Sequence, residues 1–170
     1  MWGKPPAWEN EYIAFFHRRQ RDFMRIAYTI TGDWPSAEDA TQQAFSSLYV
    51  YWPRIRPETL DAYAQRTLVN SCLALLRKRK REPVTEYVPE QGYAHNAPDD
   101  RIDLQRALMT LQPKTRAILT LRYLEDLSVK QVADVLDVAE GTVKSRSKRA
   151  LDLLREQLQI DTADQVGGAR

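Results

Sequence analysis

The amino-acid sequence predicts an all-α protein made of two small helical domains joined by a flexible linker. Apolar residues recur with helical spacing in long stretches of both halves, and no stretch alternates apolar and polar residues as a strand would. Between these stretches, residues 82–102 contain prolines and acids and lack a sustained apolar face. The 170 residues, of which 43% are hydrophobic, suffice for two packed cores. We therefore predict domains at 8–81 and 103–160.

The first domain is predicted to contain three amphipathic helices. The first of them ends at Gly32 and Asp33, and Ser36 is predicted to cap the second. The inner side of the third helix is expected to include Tyr63 and Cys72. The predicted spans of the three helices are residues 8–30, 36–53 and 58–81.

The second domain is predicted to contain four helices. A short helix is expected over residues 104–111, and Pro113 suits the first turn of the next helix, where its missing N–H costs little. Two further helices, within residues 128–155, are joined by a tight turn. After Ile160 the sequence predicts a polar, mobile tail.

The stretch 128–155 has the pattern of a helix-turn-helix. Ser128 followed three residues later by Gln131 predicts a capping box at the start of its first helix. Its second helix is expected to open near Gly141, with an inward row made of Val143, Ala150, Leu151, Leu154 and Leu158. A helix-turn-helix places the N-terminal half of its second helix in the DNA major groove.

The outward side of this second helix is basic and rich in hydrogen-bonding groups. Among its residues, Arg146 has a planar guanidinium group that can donate two hydrogen bonds to a guanine, whereas the flexible ammonium groups of lysines are better suited to phosphates. We therefore predict Arg146 as the principal base contact. An ordinary solvated helix surface is the alternative interpretation. The predicted DNA-binding residues of this helix are Thr142, Lys144, Ser145, Arg146, Lys148 and Arg149.

The sequence offers no constellation for catalysis. The two histidines, His17 and His95, fall in different predicted domains, and no glycine-rich phosphate loop is present, so we expect no enzyme activity, metal or cofactor. Cys72 is the single cysteine, which excludes an intramolecular disulfide and suits a reducing compartment. Because no apolar run is long enough to cross a membrane and no signal peptide is evident, we expect a cytoplasmic protein without membrane contact.

Several motifs, in order along the chain, resemble those of bacterial sigma factors of the extracytoplasmic-function (ECF) class. In the first half they are TGD at 31–33, AED at 37–39, Gln42 and Phe45. In the second half they are LQPKTRAILTLRYLEDLSVKQVADVL, followed by GTVKSR and KRAL. The segment TGDWPSAED, residues 31–39, resembles the corresponding segment in a subgroup of the family that is common in actinobacteria. The resemblance covers most of the chain and implies a protein that directs RNA polymerase to promoters.

The sequence departs from the family pattern at three positions. Asp137 stands where the family usually has Gly in the turn, but Asp tolerates left-handed backbone better than most residues. Ala139 replaces a Ser or Thr and cannot cap the following helix, a loss of about 1 kcal/mol. Gln43 replaces an acid that commonly follows the family's Gln, which removes at most one exposed charge pair.

The resemblance implies two partners, core RNA polymerase and promoter DNA, and an anti-sigma factor is a further candidate. The clamp helices of the polymerase largest subunit would meet the second helix at Glu38, Asp39, Gln42 and Gln43. Double-stranded DNA of the upstream element would meet the helix-turn-helix, and the linker would thread along the polymerase near its active-site cleft. The melted downstream element would meet Arg56, Tyr63, Arg66, Asn70, Arg77, Lys78, Arg79 and Arg81.

The residues themselves leave alternatives open. The polar residues of the second helix could simply form solvated surface, and Tyr63 could belong to the core. The cations at 77–81 could serve only to interact favourably with the dipole at the C-terminus of the helix. The linker also suits a passive spacer. At the level of the whole protein, a stand-alone helix-turn-helix regulator and a helical adaptor that binds only protein are the competing hypotheses.

Overall fold

The computed structural model describes residues 3–82 and 99–166. Every regular element in these two ranges is helical, and the chain divides into two compact units, Met1–Glu82 and Pro83–Arg170. The predicted all-α fold with two helical units is confirmed. Most of the predicted linker, residues 83–98, lies outside the described residues.

Unit 1 is a three-helix domain whose core is rich in aromatic rings. Phe15 and Phe23 on the first helix are fully buried, and Phe23 stacks on Phe45 with 5.1 Å between ring centroids. Leu48 and Leu68 complete the core from the other two helices. These helices are α1 (Glu9–Thr31), α2 (Trp34–Tyr51) and α3 (Leu60–Arg81), with short 3-10 turns at Trp52–Arg54 and Pro57–Thr59.

The start of α2 differs from the prediction. Asp33, not Ser36, is the N-cap, and its side chain accepts a hydrogen bond of 2.9 Å from the Ser36 backbone N–H. Ser36 is fully buried inside the first turn. Gly32, with φ of 93°, closes α1 in the left-handed conformation that glycine adopts without strain, and this places Asp33 directly before α2.

The buried side of α3 is also rotated from the prediction. Its core residues include Ala64, Leu68, Val69 and Cys72, whereas Tyr63 is 38% exposed. Because a helix turns once in about 3.6 residues, Tyr63 lies well over a quarter turn away from Leu68. The placement of Tyr63 on the inner side is therefore wrong, which leaves its ring available at the surface.

Cys72 is buried as predicted, and burial raises the pKa of its thiol to about 12. Because thiol reagents react with the thiolate, we expect no labelling of the folded protein by a disulfide reagent at pH 8. One equivalent should react after unfolding in denaturant, as measured by release of the coloured leaving group. Rapid labelling without denaturant would contradict this packing.

The described part of unit 2, residues 99–166, forms four helices and a π-helical turn. Two helices that are distant in sequence share a hydrophobic cluster, in which Leu108 and Leu111 pack with Ala150 and Leu154. Ile118, Leu121, Val132 and Val143 are fully buried as well. The helices are α4 (Asp99–Met109), α5 (Pro113–Leu119), α6 (Val129–Leu136) and α7 (Glu140–Val166), with the π-helical turn at Thr120–Leu124.

The turn of the helix-turn-helix forms as the sequence predicts. Ser128 and Gln131 make both hydrogen bonds of a capping box, at 3.1 and 2.8 Å. Asp137 ends α6 in the left-handed conformation with φ of 53°. The carbonyl of Ala139 accepts the first backbone hydrogen bonds of α7, from Thr142 and Val143.

The last helix starts where predicted but is longer than predicted at its C-terminal end. It begins at Glu140 and continues to Val166, so residues 161–166 are helical rather than a tail. The physical reason is visible in the sequence, because no Gly or Pro follows Ile160 until Gly167. None of the described helices is both long and apolar enough to span a membrane.

Candidate nucleic-acid and protein interfaces

The N-terminal half of α7 presents a basic face to solvent. Lys144, Ser145, Lys148 and Arg149 are all exposed, and their spacing of one and four residues places them on one side of the helix. The opposite side packs into the core through Val143. This arrangement offers two flexible ammonium groups, a hydroxyl and one guanidinium on a single rigid surface.

Two of the predicted DNA-binding residues of α7 are less accessible. Arg146 and Thr142 are half-buried, and Arg146 follows the fully buried Val143 by three residues. The expectation that Arg146 projects from the exposed side of the helix is therefore wrong. Of the two arginines in the N-terminal half of α7, Arg149 is the exposed one.

A cleft beside this face contains two residues that the sequence analysis missed. Arg122 and Tyr123, in the π-helical turn, line a cleft of about 370 Å³ together with Lys144, Lys148 and Arg155. Tyr123 is 57% exposed, and Arg122 donates a hydrogen bond of 2.6 Å to the Leu127 carbonyl. The signal in the sequence is an Arg-Tyr pair placed just before the helix-turn-helix.

A second polar face lies on α3. Tyr63, Arg66 and Asn70 are exposed and are separated by three and four residues, which places them on one side of the helix. Arg77 and Arg81, also exposed, follow Asn70 by seven and eleven residues, close to whole numbers of turns. The face therefore combines a phenol, an amide and three guanidinium groups.

The remaining predicted residues of this region are divided between solvent and protein. Arg56 is exposed just before the 3-10 turn, and Lys78 forms a fully exposed pair with Glu82 at 3.9 Å. Arg79, in contrast, reaches back across the domain and donates a 2.9 Å hydrogen bond to Asp33 Oδ2. The five cations at 77–81 thus do not form one uniform surface.

Asp33 is ionised in this contact. Partial burial raises its pKa, but hydrogen bonds from Arg79 and Ser36 outweigh that effect, so the pKa of Asp33 lies below its ordinary value. A carboxylate at the N-terminus of α2 also interacts favourably with the helix dipole.

The polar residues of α2 share one exposed face. Glu38, Asp39, Gln42 and Gln43 are all exposed, while Ala40 and Ala44 on the other side are buried. Beside this face, an open groove of about 700 Å³ that the sequence analysis did not predict runs between α1 and α2. The groove is lined by Tyr12, Phe16, Gln20, Met24, Glu38, Thr41, Gln42, Phe45, Ser46, Tyr49 and Val50.

The described residues bring together no group of three or more His, Cys, Asp or Glu side chains able to hold a metal ion. The features that stand out at the surface are instead polar and basic helix faces with a cleft or groove beside two of them. Two basic faces, one beside a helix-turn-helix and one with an aromatic ring, define a nucleic-acid-binding protein of two helical units.

Comparison with known proteins agrees with this class. The model of sigma-70 region 2 matches residues 15–82, and that of sigma-70 region 4 matches residues 101–154. The RNA polymerase sigma-E factor of Streptomyces coelicolor is 36% identical over 152 residues, which cover 87% of this chain and 86% of that protein. The ECF RNA polymerase sigma factor SigM of Mycobacterium tuberculosis is 33% identical over 142 residues, covering 82% and 72%.

A solved structure has the same fold. It contains the sigma factor RpoE from Bartonella quintana in complex with the anti-sigma factor NepR, and it superposes with a TM-score of 0.75 at 23% identity over 89% of this chain and 98% of that chain. The chain belongs to the ECF group of the sigma-70 family of RNA polymerase sigma factors. It is accordingly a transcription initiation factor and not an enzyme.

Proposed function

We propose that this sigma factor, acting in the cytoplasm, binds core RNA polymerase through α2 and engages a two-part promoter through α3 and α7. The observation that carries the proposal is the separation of three polar faces on three helices. One face, on α2, has acids and amides, and the other two, on α3 and α7, are basic. Polymerase performs the chemistry, and this chain supplies promoter specificity.

On α7 the proposed contact with the upstream element is made by Lys144, Ser145, Lys148 and Arg149. Lysines supply phosphate contacts, which position the protein without reading sequence, while Arg149 can read a base edge. The neighbouring Arg122 lies in the adjoining cleft and adds a further cation to this surface. The half-buried Arg146 and Thr142 are proposed to support this surface from its edge.

On α3 the proposed ligand is the melted downstream element. Unstacked bases stack on aromatic rings, and single strands run along positive grooves, so Tyr63 beside Arg66 suits a single strand. Asn70 adds an amide that can hydrogen-bond to a base edge. Arg56, Lys78 and the two arginines in line with Asn70 are proposed to hold the sugar-phosphate backbone.

On α2 the proposed partner is the pair of clamp helices in the largest polymerase subunit. Glu38 and Asp39 offer charge, and Gln42 and Gln43 offer amides that can donate and accept hydrogen bonds. The groove beside them offers apolar area next to this polar face. Because the relative RpoE is bound to an anti-sigma factor, we also propose that this chain has an anti-sigma partner.

Run-off transcription with core polymerase over a genomic promoter library tests the proposal. The expected result is specific initiation at a set of promoters with two shared elements. A stand-alone regulator would bind DNA without co-purifying with core polymerase. An adaptor that binds only protein would show no DNA affinity that weakens with salt.

Removing charge from α3 should weaken promoter binding without changing its sequence preference. Each of Arg77→Ala and Arg81→Ala removes one proposed phosphate contact, so each should reduce the slope of log affinity against log salt by about 1. Arg21→Ala, which removes an exposed cation from α1, is the control and should leave the slope unchanged. A changed promoter preference at full affinity would contradict the phosphate role.

A further inference from the structure

Asp33 occupies a junction where all three helices of unit 1 meet. Its Oδ1 atom accepts hydrogen bonds from the Ser36 backbone N–H at 2.9 Å and from the Ser36 hydroxyl at 2.6 Å, at the start of α2. Its backbone carbonyl lies 3.4 Å from the hydroxyl of Thr31, the last residue of α1. Its Oδ2 atom accepts the 2.9 Å hydrogen bond from Arg79 in the last turn of α3.

The position of Arg79 on α3 differs from that of its basic neighbours. Arg79 follows Asn70 by nine residues, about two and a half turns, and therefore lies on the side opposite Arg77 and Arg81. The side chains of Arg79 and Asp33 are 37% and 16% exposed. Such a partly shielded pair is screened less by salt than a fully exposed one.

We propose that Asp33 and Arg79 are positioning residues, which hold the basic end of α3 against the start of α2 and so keep Arg77 and Arg81 in line with Asn70. Arg79 itself makes no phosphate contact. The inference rests on the proposed role of α3 in binding the downstream element. Among the five cations at 77–81, Arg79 thus has a structural role, whereas Arg77 and Arg81 contact DNA.

The geometry supports this division of tasks. Asp33 is the cap of α2, and the proposed polymerase-binding residues Glu38 and Asp39 follow within the next two turns. The pair therefore links the helix proposed to bind polymerase with the helix proposed to bind DNA, across 46 positions of sequence. Without the pair, the last turn of α3 has less to hold it, because helix ends fray.

The test measures binding of a forked promoter duplex by holoenzyme over a series of salt concentrations. Arg79→Ala should lower affinity by about 3- to 10-fold with the salt slope unchanged, because Arg77 and Arg81 still reach the phosphates in the complex but binding must first order the end of α3. Asp33→Asn, which keeps the capping oxygen, should match it. The double variant should lose no more than either single variant, and Arg79→Lys should recover part of the affinity.

Arg77→Ala in the same experiment separates this inference from the proposed function. It should reduce the slope, and failure to do so would refute the DNA-binding role of α3 itself. If Arg77→Ala behaves as expected but Arg79→Ala reduces the slope equally, Arg79 is a phosphate contact and the inference is overturned. Wild-type affinity for Asp33→Asn, or additive losses in the double variant, would overturn it as well.

Discussion

Asp39→Arg combined with Gln42→Arg is expected to prevent this sigma factor from assembling with core polymerase. Both side chains stand on the exposed face of α2, so the substitutions remove no buried group. A residue at the centre of a protein interface contributes about 2 kcal/mol or more, and reversing the charge of a face that carries two acids destroys its complementarity to the partner that it fits. We expect a loss of affinity of at least about thirtyfold, measured by titration of labelled protein with core enzyme.

The control for this prediction is Glu11→Arg, which reverses an exposed carboxylate on α1. It reverses one carboxylate, as the Asp39→Arg half of the double variant does, but lies outside the proposed surface, so it should retain full affinity. Both proteins should keep their helical circular dichroism and melting temperature. If the α2 variant bound core polymerase as tightly as wild type, the assignment of this face would be wrong.

The faces of α2 and α7 could be predicted because each depends on local periodicity. Buried Ala40 and Ala44 leave the acids and amides of α2 outside, and buried Val143 and Ala150 leave Lys144 and the cations that follow it outside. The turn before α7 was predictable for the same reason, since a capping box and a left-handed Asp act within a few residues of each other.

Other features depend on contacts between distant residues, and sequence pattern does not contain them. Asp33 and Arg79 are 46 positions apart, and nothing local selects Arg79 from the run of five cations. Burial is equally hidden from the sequence at shorter range, because Arg116 is only 5% exposed and donates from its guanidinium to the carbonyl of Leu111, between α4 and α5. A surface arginine and a structural one look identical in sequence.

Small rotations of a helix explain the errors at Tyr63 and Arg146. Tyr63 and Arg146 each lie near the border between the buried and exposed sides of a helix. Because successive residues are about 100° apart around the helix axis, a small rotation of the helix decides whether such a side chain is buried or exposed. The packing of neighbouring helices sets that rotation. Tyr63 is consequently more exposed than predicted, and Arg146 is more buried than predicted.

This rotation changes which arginine of α7 is expected to read the promoter. Arg149 is exposed on the same side as Lys144, Ser145 and Lys148, and of these four side chains it alone has a planar fork. Arg149→Ala should cost about 1–3 kcal/mol at the preferred upstream element and relax selectivity at one base pair. Folding should be nearly unaffected, because the side chain is exposed.

Arg146→Ala is the matched comparison, since it removes the same guanidinium from a half-buried position three residues earlier. We expect it to weaken binding to all upstream elements to a similar and smaller extent, because a supporting residue carries no base preference. Both variants should be titrated against a set of duplexes in which the upstream element is varied one base at a time. Relaxed selectivity for Arg146→Ala, with a uniform loss for Arg149→Ala, would reverse the assignment and return base reading to Arg146.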